Sequence, residues 1–293
     1  MYLIPECLQN KEYSFLRVYQ PQMGEEYEVT YDAMRNLNKY PYYSNRKVEK
    51  KDAGYCLSGN NGLDISADCM TSFLGAYGPV LNYIEKDEET IHLIDLFRYI
   101  YHTIGNFIPL PEGCNAGTWG NDNYSYKLNE IRILFQLLTK RKEEDVELNI
   151  VSDSNQKAFD EIKKAFDEKN KTVPSKGRVK VAYWIKSEWI DKEKGWYDFY
   201  NELFFQDYVE NNGKVKDFYG NQRFVPKKCQ DVNKIKNSIR NTIDLIIKRG
   251  YRIKKLLKGP LEPNDIKEIK EIEDKLYKMS FQKALISIKE DGE

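Results

Sequence analysis

Histidine is nearly missing from this chain, with two in 293 residues, and the five cysteines, Cys7, Cys56, Cys69, Cys114 and Cys229, lie far apart with no C-x-x-C pair. A transition-metal site would have to lean on carboxylates, and neither a structural zinc site nor a redox dithiol is signalled. An odd number of scattered cysteines fits a reduced, cytoplasmic compartment. Long apolar runs are lacking as well. No stretch of about 18 apolar residues occurs, and the opening MYLIPECLQN is broken at Pro5 and Glu6 before a signal-type core forms. The expectation is a soluble chain with no membrane partner. Net charge is also absent, since Lys plus Arg and Asp plus Glu are both 46. Whole-molecule attraction to polyanions is thereby excluded, and any nucleic-acid site must come from local charge separation. No G-x-G-x-x-G after a strand, G-x-x-x-x-G-K-[ST], G-x-S-x-G or H-E-x-x-H is found, so dinucleotide, P-loop, serine-hydrolase and zincin chemistry have no direct support.

What the chain does have is helical periodicity. Residues 1 to about 64 show little of it beyond a short piece around Thr30 to Leu37, and GYCLSGNNGLD closes them with loop chemistry. They read as an irregular N-terminal layer with a small hairpin. From Ser66 the stretch SADCMTSFLGAYGPVLNYIEK carries apolar residues at helical spacing, with Ser66 or Asp68 as N-cap and a break at Gly78-Pro79. DEETIHLIDLFRYIYHTIG follows, acidic in its first turn and apolar nearly all round, as a central helix is; Gly105 stands where a left-handed C′ residue would end it. Another helix begins near Asn121 to Asn123 and buries Leu128, Ile131, Leu134, Phe135 and Leu138.

The charged TKRKEEDVELN separates an N-terminal subdomain, 1–140, from a C-terminal one, 150–293, although the two can form one continuous domain. Beyond it, SNQKAFDEIKKAFDEKN is amphipathic, and the aromatic-rich VKVAYWIKSEWIDKEKGWYDFYNELFFQDYVE reads as two helices divided near Gly195, with the rings as core rather than as a ligand cage. From Asp231, apolar residues recur at three-to-four spacing to Leu257. Gly259, Pro260 and Pro263 then break the chain before a second long helix capped by Asn264, which makes a C-terminal αα-hairpin. The fold class is mainly α, a multi-helix bundle.

Two places can carry function. His92 and His102 lie ten residues apart on one helix, about 15 Å along its axis, and cannot share an ion. His102 sits in the last turn, where the carboxyl-end dipole favours an imidazolium. It also opens onto a loop with Asn106, Glu112, Asn115 and Asp122, where a histidine can act as general base and Glu112 or Asp122 can orient it or hold a divalent ion. The second place is Lys227 to Lys258, with eleven basic residues against Asp231 and Asp244. Lys236, Arg240, Arg249, Arg252 and Lys255 are its candidate phosphate contacts, and Tyr251 can stack on a base. The competing reading is a solvated face neutralised by Glu268, Glu271, Glu273 and Asp274 of the helix that follows.

ISADCMTSF, then HTIGNFIPLPEGCN and a Leu- and Ile-rich helix, resembles an uncharacterised bacterial protein family with an H-T-I-G-N-x-x-P-x-P loop signature. The resemblance covers Ile65 to Leu138 and, less distinctly, NKIKNSIRNTIDLIIKRGYRI. It implies no activity. A more distant similarity to H-N-H or ββα-metal nucleases would make His102 the base, let Asn106 and Asn115 orient the loop, and place a magnesium- or manganese-like ion against a phosphate. No Asp precedes His102 and no later histidine exists to ligate metal. Two functions stay open: a helical binding protein for a nucleic acid or a protein, and a divalent-metal-dependent phosphodiesterase centred on His102.

Overall fold

A computed structural model describes residues 46–51, 54–59, 63–71, 76–77, 80, 88–100, 104–112, 114, 123–139, 160, 162, 164, 177–216 and 231–258. The short helix expected around Thr30 to Leu37, the charged residues 140–149 and the second C-terminal helix from Asn264 lie outside them.

The N-terminal layer holds a hairpin, and the hairpin belongs to a larger sheet. Strands β1 (Lys47–Lys51), β2 (Gly54–Ser58), β3 (Ile65–Cys69) and β4 (Phe107–Pro111) are ordered β1-β2-β3-β4, each pair antiparallel. The helix expected to start at Ser66 or Asp68 does not start there: those residues belong to β3, while Ala76 and Tyr77 farther along the stretch are helical. The five residues of β3 pair with β4 from Ile65↔Pro111 to Cys69↔Phe107, and a formed ladder outweighs a weak helical period. Pro109 and Pro111 have no N–H to give. Two apart on the last strand of the described sheet, they share one side and forfeit no ladder bond by facing outward, and they leave that edge poor in donors.

The rest of the described chain is mostly helical. Helix α1 spans Glu88–Ile100, α2 Tyr124–Thr139, α3 Gly177–Glu188, α4 Trp196–Glu202 and α5 Val232–Lys258. The caps are local chemistry. Asn123 Oδ1 accepts the Tyr126 N–H at 3.0 Å to start α2, and Asp231 Oδ1 accepts the Lys234 N–H at 3.0 Å to start α5. Asp198 receives the Gly195 N–H at 2.8 Å at the head of α4. Two turns between α3 and the chain beyond α4 close without glycine. The Lys194 N–H reaches Trp189 O and the Glu193 N–H reaches Ile190 O, while the Phe205 N–H reaches Tyr200 O and the Phe204 N–H reaches Asn201 O. Both are Schellman closures, with Glu193 (φ 61) and Phe204 (φ 62) in the left-handed position.

One cluster of buried side chains joins Leu57, Ile65 and Leu110 of the sheet to Leu128 and Phe135 of α2, Trp184 of α3, Phe199 of α4 and Ile253 of α5, so it draws on both expected subdomains. Most of the aromatic rings are core, as expected, with Tyr197 exposed. Phe199 packs on Trp189 at 5.0 Å, on Phe135 at 5.4 Å and on Trp184 at 5.7 Å. In the amphipathic stretch near 160, Ile162 is buried while Asp160 and Lys164 are exposed.

A buried ion pair also ties the first strand region to α3. The Arg46 guanidinium donates to Glu188 Oε1 at 2.7 Å, to Leu63 O at 2.6 Å and to Leu57 O at 3.3 Å. Both side chains are under 10% exposed. Removing one partner of such a pair leaves the other charge desolvated. We expect Arg46→Ala to lower the unfolding free energy by about 3 kcal/mol, near the low end for buried pairs because Lys192 still reaches Glu188 at 2.9 Å. A urea melt checks it, and a loss below about 1 kcal/mol would show the pair to be behaving like a surface one.

Candidate functional site

After α1 the chain re-enters the described residues as a tight 3-10 turn, Ile104–Asn106, that runs straight into β4. Gly105 is not left-handed here. The expectation of a left-handed cap does not hold, and the glycine answers a different constraint: the turn lies directly on the backbone of α5. A Cβ at Gly105 would collide with Ile246 O and would stand 2.9 Å from Gly250 N. The missing side chain permits a backbone-to-backbone approach.

Asn106 is fully buried and both ends of its amide are in use. Its Oδ1 accepts the Thr71 N–H at 3.1 Å, and its Nδ2 donates to Thr71 O at 3.0 Å. The Asn106 carbonyl takes the Met70 N–H at 2.5 Å. Thr71 in turn accepts the Tyr124 N–H on its hydroxyl at 3.0 Å, satisfying a first-turn donor of α2. Next to this joint the Lys127 ammonium, buried on α2, donates to Cys69 O. Asn106 therefore welds β3 to the turn, and sequence reading, which placed it as an orienting group for a base, missed Thr71 as its partner.

Arg249 closes the other side. It is 1% exposed. Its Nε donates to Leu203 O at 3.0 Å, and its Nη1 donates to Gly105 O at 2.8 Å and Phe107 O at 2.5 Å. The guanidinium carbon lies 4.1 Å from the centre of the Phe205 ring. Arg249 thus lies inside the fold and not on the exposed face expected of a phosphate contact. Beside it Tyr208 is fully buried. Burial pushes its phenol well above the usual range, Arg249 pulls it part of the way back, and Asp207 and Asp244 push it up.

The other candidates divide. Lys236 and Arg240 both grip Glu89 in the first turn of α1, at 3.1 and 2.6 Å, and Glu89 is buried. The basic helix is neutralised here, though by α1 rather than, at these positions, by the acidic residues from Glu268 onward. Arg252 is exposed and holds Asp207 through two bonds of 2.8 and 3.1 Å. The Lys255 side chain is outside the described residues, as are His102, Asn115, Asp122 and the side chains of His92 and Tyr251. Glu112 is half-buried. Its N–H bonds Asp64 O at 2.8 Å, and its carbonyl accepts from Lys180 at 2.6 Å. Among the described residues no group of three His, Cys, Asp or Glu side chains is placed to hold a metal ion.

Cys114, two residues beyond Glu112, is buried and donates to Gly177 O at 3.6 Å. Burial raises its thiol pKa to about 11 against a reference of 9.0, with Lys180 and the Gly177 bond opposing. A folded pKa above the unfolded one means that ionisation favours the unfolded chain. We expect stability to fall as pH rises from about 9 to about 11, a fall that Cys114→Ser should reduce in pH-resolved urea melts.

Two substitutions test the joint itself. Gly105→Ala should cost about 3 kcal/mol or more, because the obstruction is backbone that cannot rotate away. Asn106→Ala, which strands the Thr71 N–H and carbonyl in the interior, should cost about 2–4 kcal/mol. Chemical denaturation decides both, and a near-neutral Gly105→Ala would mean that the turn does not lie on α5 as described.

Comparison with known proteins finds no matching family model, no similar curated protein and no similar solved structure.

Proposed function

We propose that this chain acts by binding a partner rather than by catalysis. The observation that carries the reading is the use made of the turn after His102. Gly105 is a contact surface for α5, and both ends of the Asn106 amide are tied to Thr71. Neither is left to orient a reacting group. On this reading the H-T-I-G-N-x-x-P-x-P signature is a folding motif. The glycine allows close approach, the asparagine staples a strand, and the prolines finish a sheet edge. On this proposal the chain is a helical bundle closed by a C-terminal hairpin, at work in the cytoplasm, with a nucleic acid as the first partner to test and a protein as the second. No described helix is long and apolar enough to cross a membrane.

The test is cleavage of plasmid DNA, RNA and an activated phosphodiester in the presence of magnesium or manganese, with His102→Ala alongside. We expect no cleavage above the protein-free rate from either protein. Metal-dependent cleavage that His102→Ala abolishes at an unchanged thermal midpoint would overturn the proposal and establish His102 as a general base.

A further inference from the structure

We infer that the outward face of α5 is a docking surface for the phosphodiester backbone of a nucleic acid, an inference that rests on the binding reading above. Lys234, Asn237, Asn241, Asp244, Lys248 and Arg252 recur at three-to-four spacing along α5, and each is exposed or half-exposed, whereas Ile235, Ile239, Ile243, Ile246 and Ile253 are buried. The stripe is straight and, at 1.5 Å per residue, about 27 Å long from Lys234 to Arg252. It carries three cations and one carboxylate.

Ion pairs and hydrogen bonds sort five of the cations of α5 into two sets. Lys236 and Arg240 are fixed on a buried carboxylate and Arg249 on interior carbonyls. Lys248 and Arg252 meet Asp244 and Asp207 at the surface, with Lys248 at 48% and Arg252 at 46% side-chain exposure. The Lys248–Asp244 pair is exposed on both sides and holds little free energy, so a phosphate oxygen can take the place of Asp244, whereas Arg252 meets the half-buried Asp207 through two bonds and adds its charge to the stripe without having to release it. Asn237 and Asn241, on the same stripe, add amides of the kind that bond backbone phosphates.

An anionic membrane is the other polyanion such a face would meet. Three cations alone would hold such a surface weakly, at about 1 kcal/mol each, and the stripe between Lys234 and Arg252 adds no apolar side chain to enter the headgroup region. The chemistry therefore favours a hydrophilic polyanion with charge spaced along a line. With about three cations engaged, binding is sequence-independent and loses affinity as salt rises, with a log–log slope of about −3 on duplex and about −2 on single strands.

The experiment is fluorescence anisotropy of labelled duplex and single-stranded DNA with the full chain, between about 50 and 200 mM salt, on wild type, on the triple variant Lys234→Glu, Lys248→Glu, Arg252→Glu, and on Lys186→Glu as an exposed-cation control on α3. Circular dichroism accompanies each, and Lys234→Gln, Lys248→Gln, Arg252→Gln replaces the triple variant if charge reversal unfolds it. We expect wild-type binding with the stated slopes, a tenfold or greater loss in the triple variant and no change in Lys186→Glu. The inference is overturned by undetectable binding at low salt, by a folded triple variant that binds as wild type does, or by three-cation-dependent binding to phosphatidylserine vesicles in place of DNA. These outcomes are separate from the cleavage assay: His102-dependent cleavage removes the binding reading whatever α5 does, and a silent α5 removes this inference alone.

Discussion

One buried guanidinium ties two distant stretches of the described fold to α5. Arg249 meets carbonyls at Gly105, Phe107 and Leu203, residues that lie roughly 100 positions apart in two groups. A planar fork with several fixed donors can serve carbonyls lying in different directions, and its weakly hydrated face can rest on the Phe205 ring; an ammonium offers neither. The carbonyls would otherwise be interior acceptors without a donor from α5. A charge so deep is tolerated because each bond it makes is charge-assisted.

Other unusual residues near that point then become intelligible. Gly105 is a glycine because Arg249 and Gly250 draw the turn onto the α5 backbone, where a methyl group does not fit. Phe204 takes a left-handed conformation that costs a non-glycine residue about 1–2 kcal/mol, and its neighbours Leu203 and Phe205 are the ones Arg249 grasps, the first by its carbonyl and the second by its ring. Strain at one residue is held by contacts at the two beside it.

Helices whose stripes repeat over several turns were legible in the sequence. The apolar period from Val232 onward, the acidic first turn of α1 and the asparagine cap of α2 are local signals, and local signals survive without knowledge of the partner. The sheet was not legible. ISADC alternates apolar and polar, but over only five residues that also fit the helical spacing continuing from Ser66, FIPLP contains two prolines, and what makes them strands is each other, across some forty residues of intervening chain. The endings at Glu193 and Phe204 lacked the glycine that normally announces a Schellman closure. At the candidate site, the reason assigned to Gly105 and to Asn106 was local, whereas the contacts each makes, with Ile246 and Gly250 for one and Thr71 for the other, are long-range.

The same distinction governs how the basic helix should be read. A count of eleven cations against two acids suggests one cationic surface. In the structure burial divides them: Arg249 and the Lys236–Arg240 pair face inward, where exchanging Glu89 for a phosphate would leave a carboxylate stranded in the interior. Lys248 faces outward, where Asp244 returns to water at little cost, and Arg252 faces outward with its charge shared with the half-buried Asp207. Charge available to a partner is therefore set by what each cation would leave behind on letting go of its present acceptor. By that measure α5 presents a narrow, hydrophilic line of positive charge, and the cations of its inner side belong to the fold.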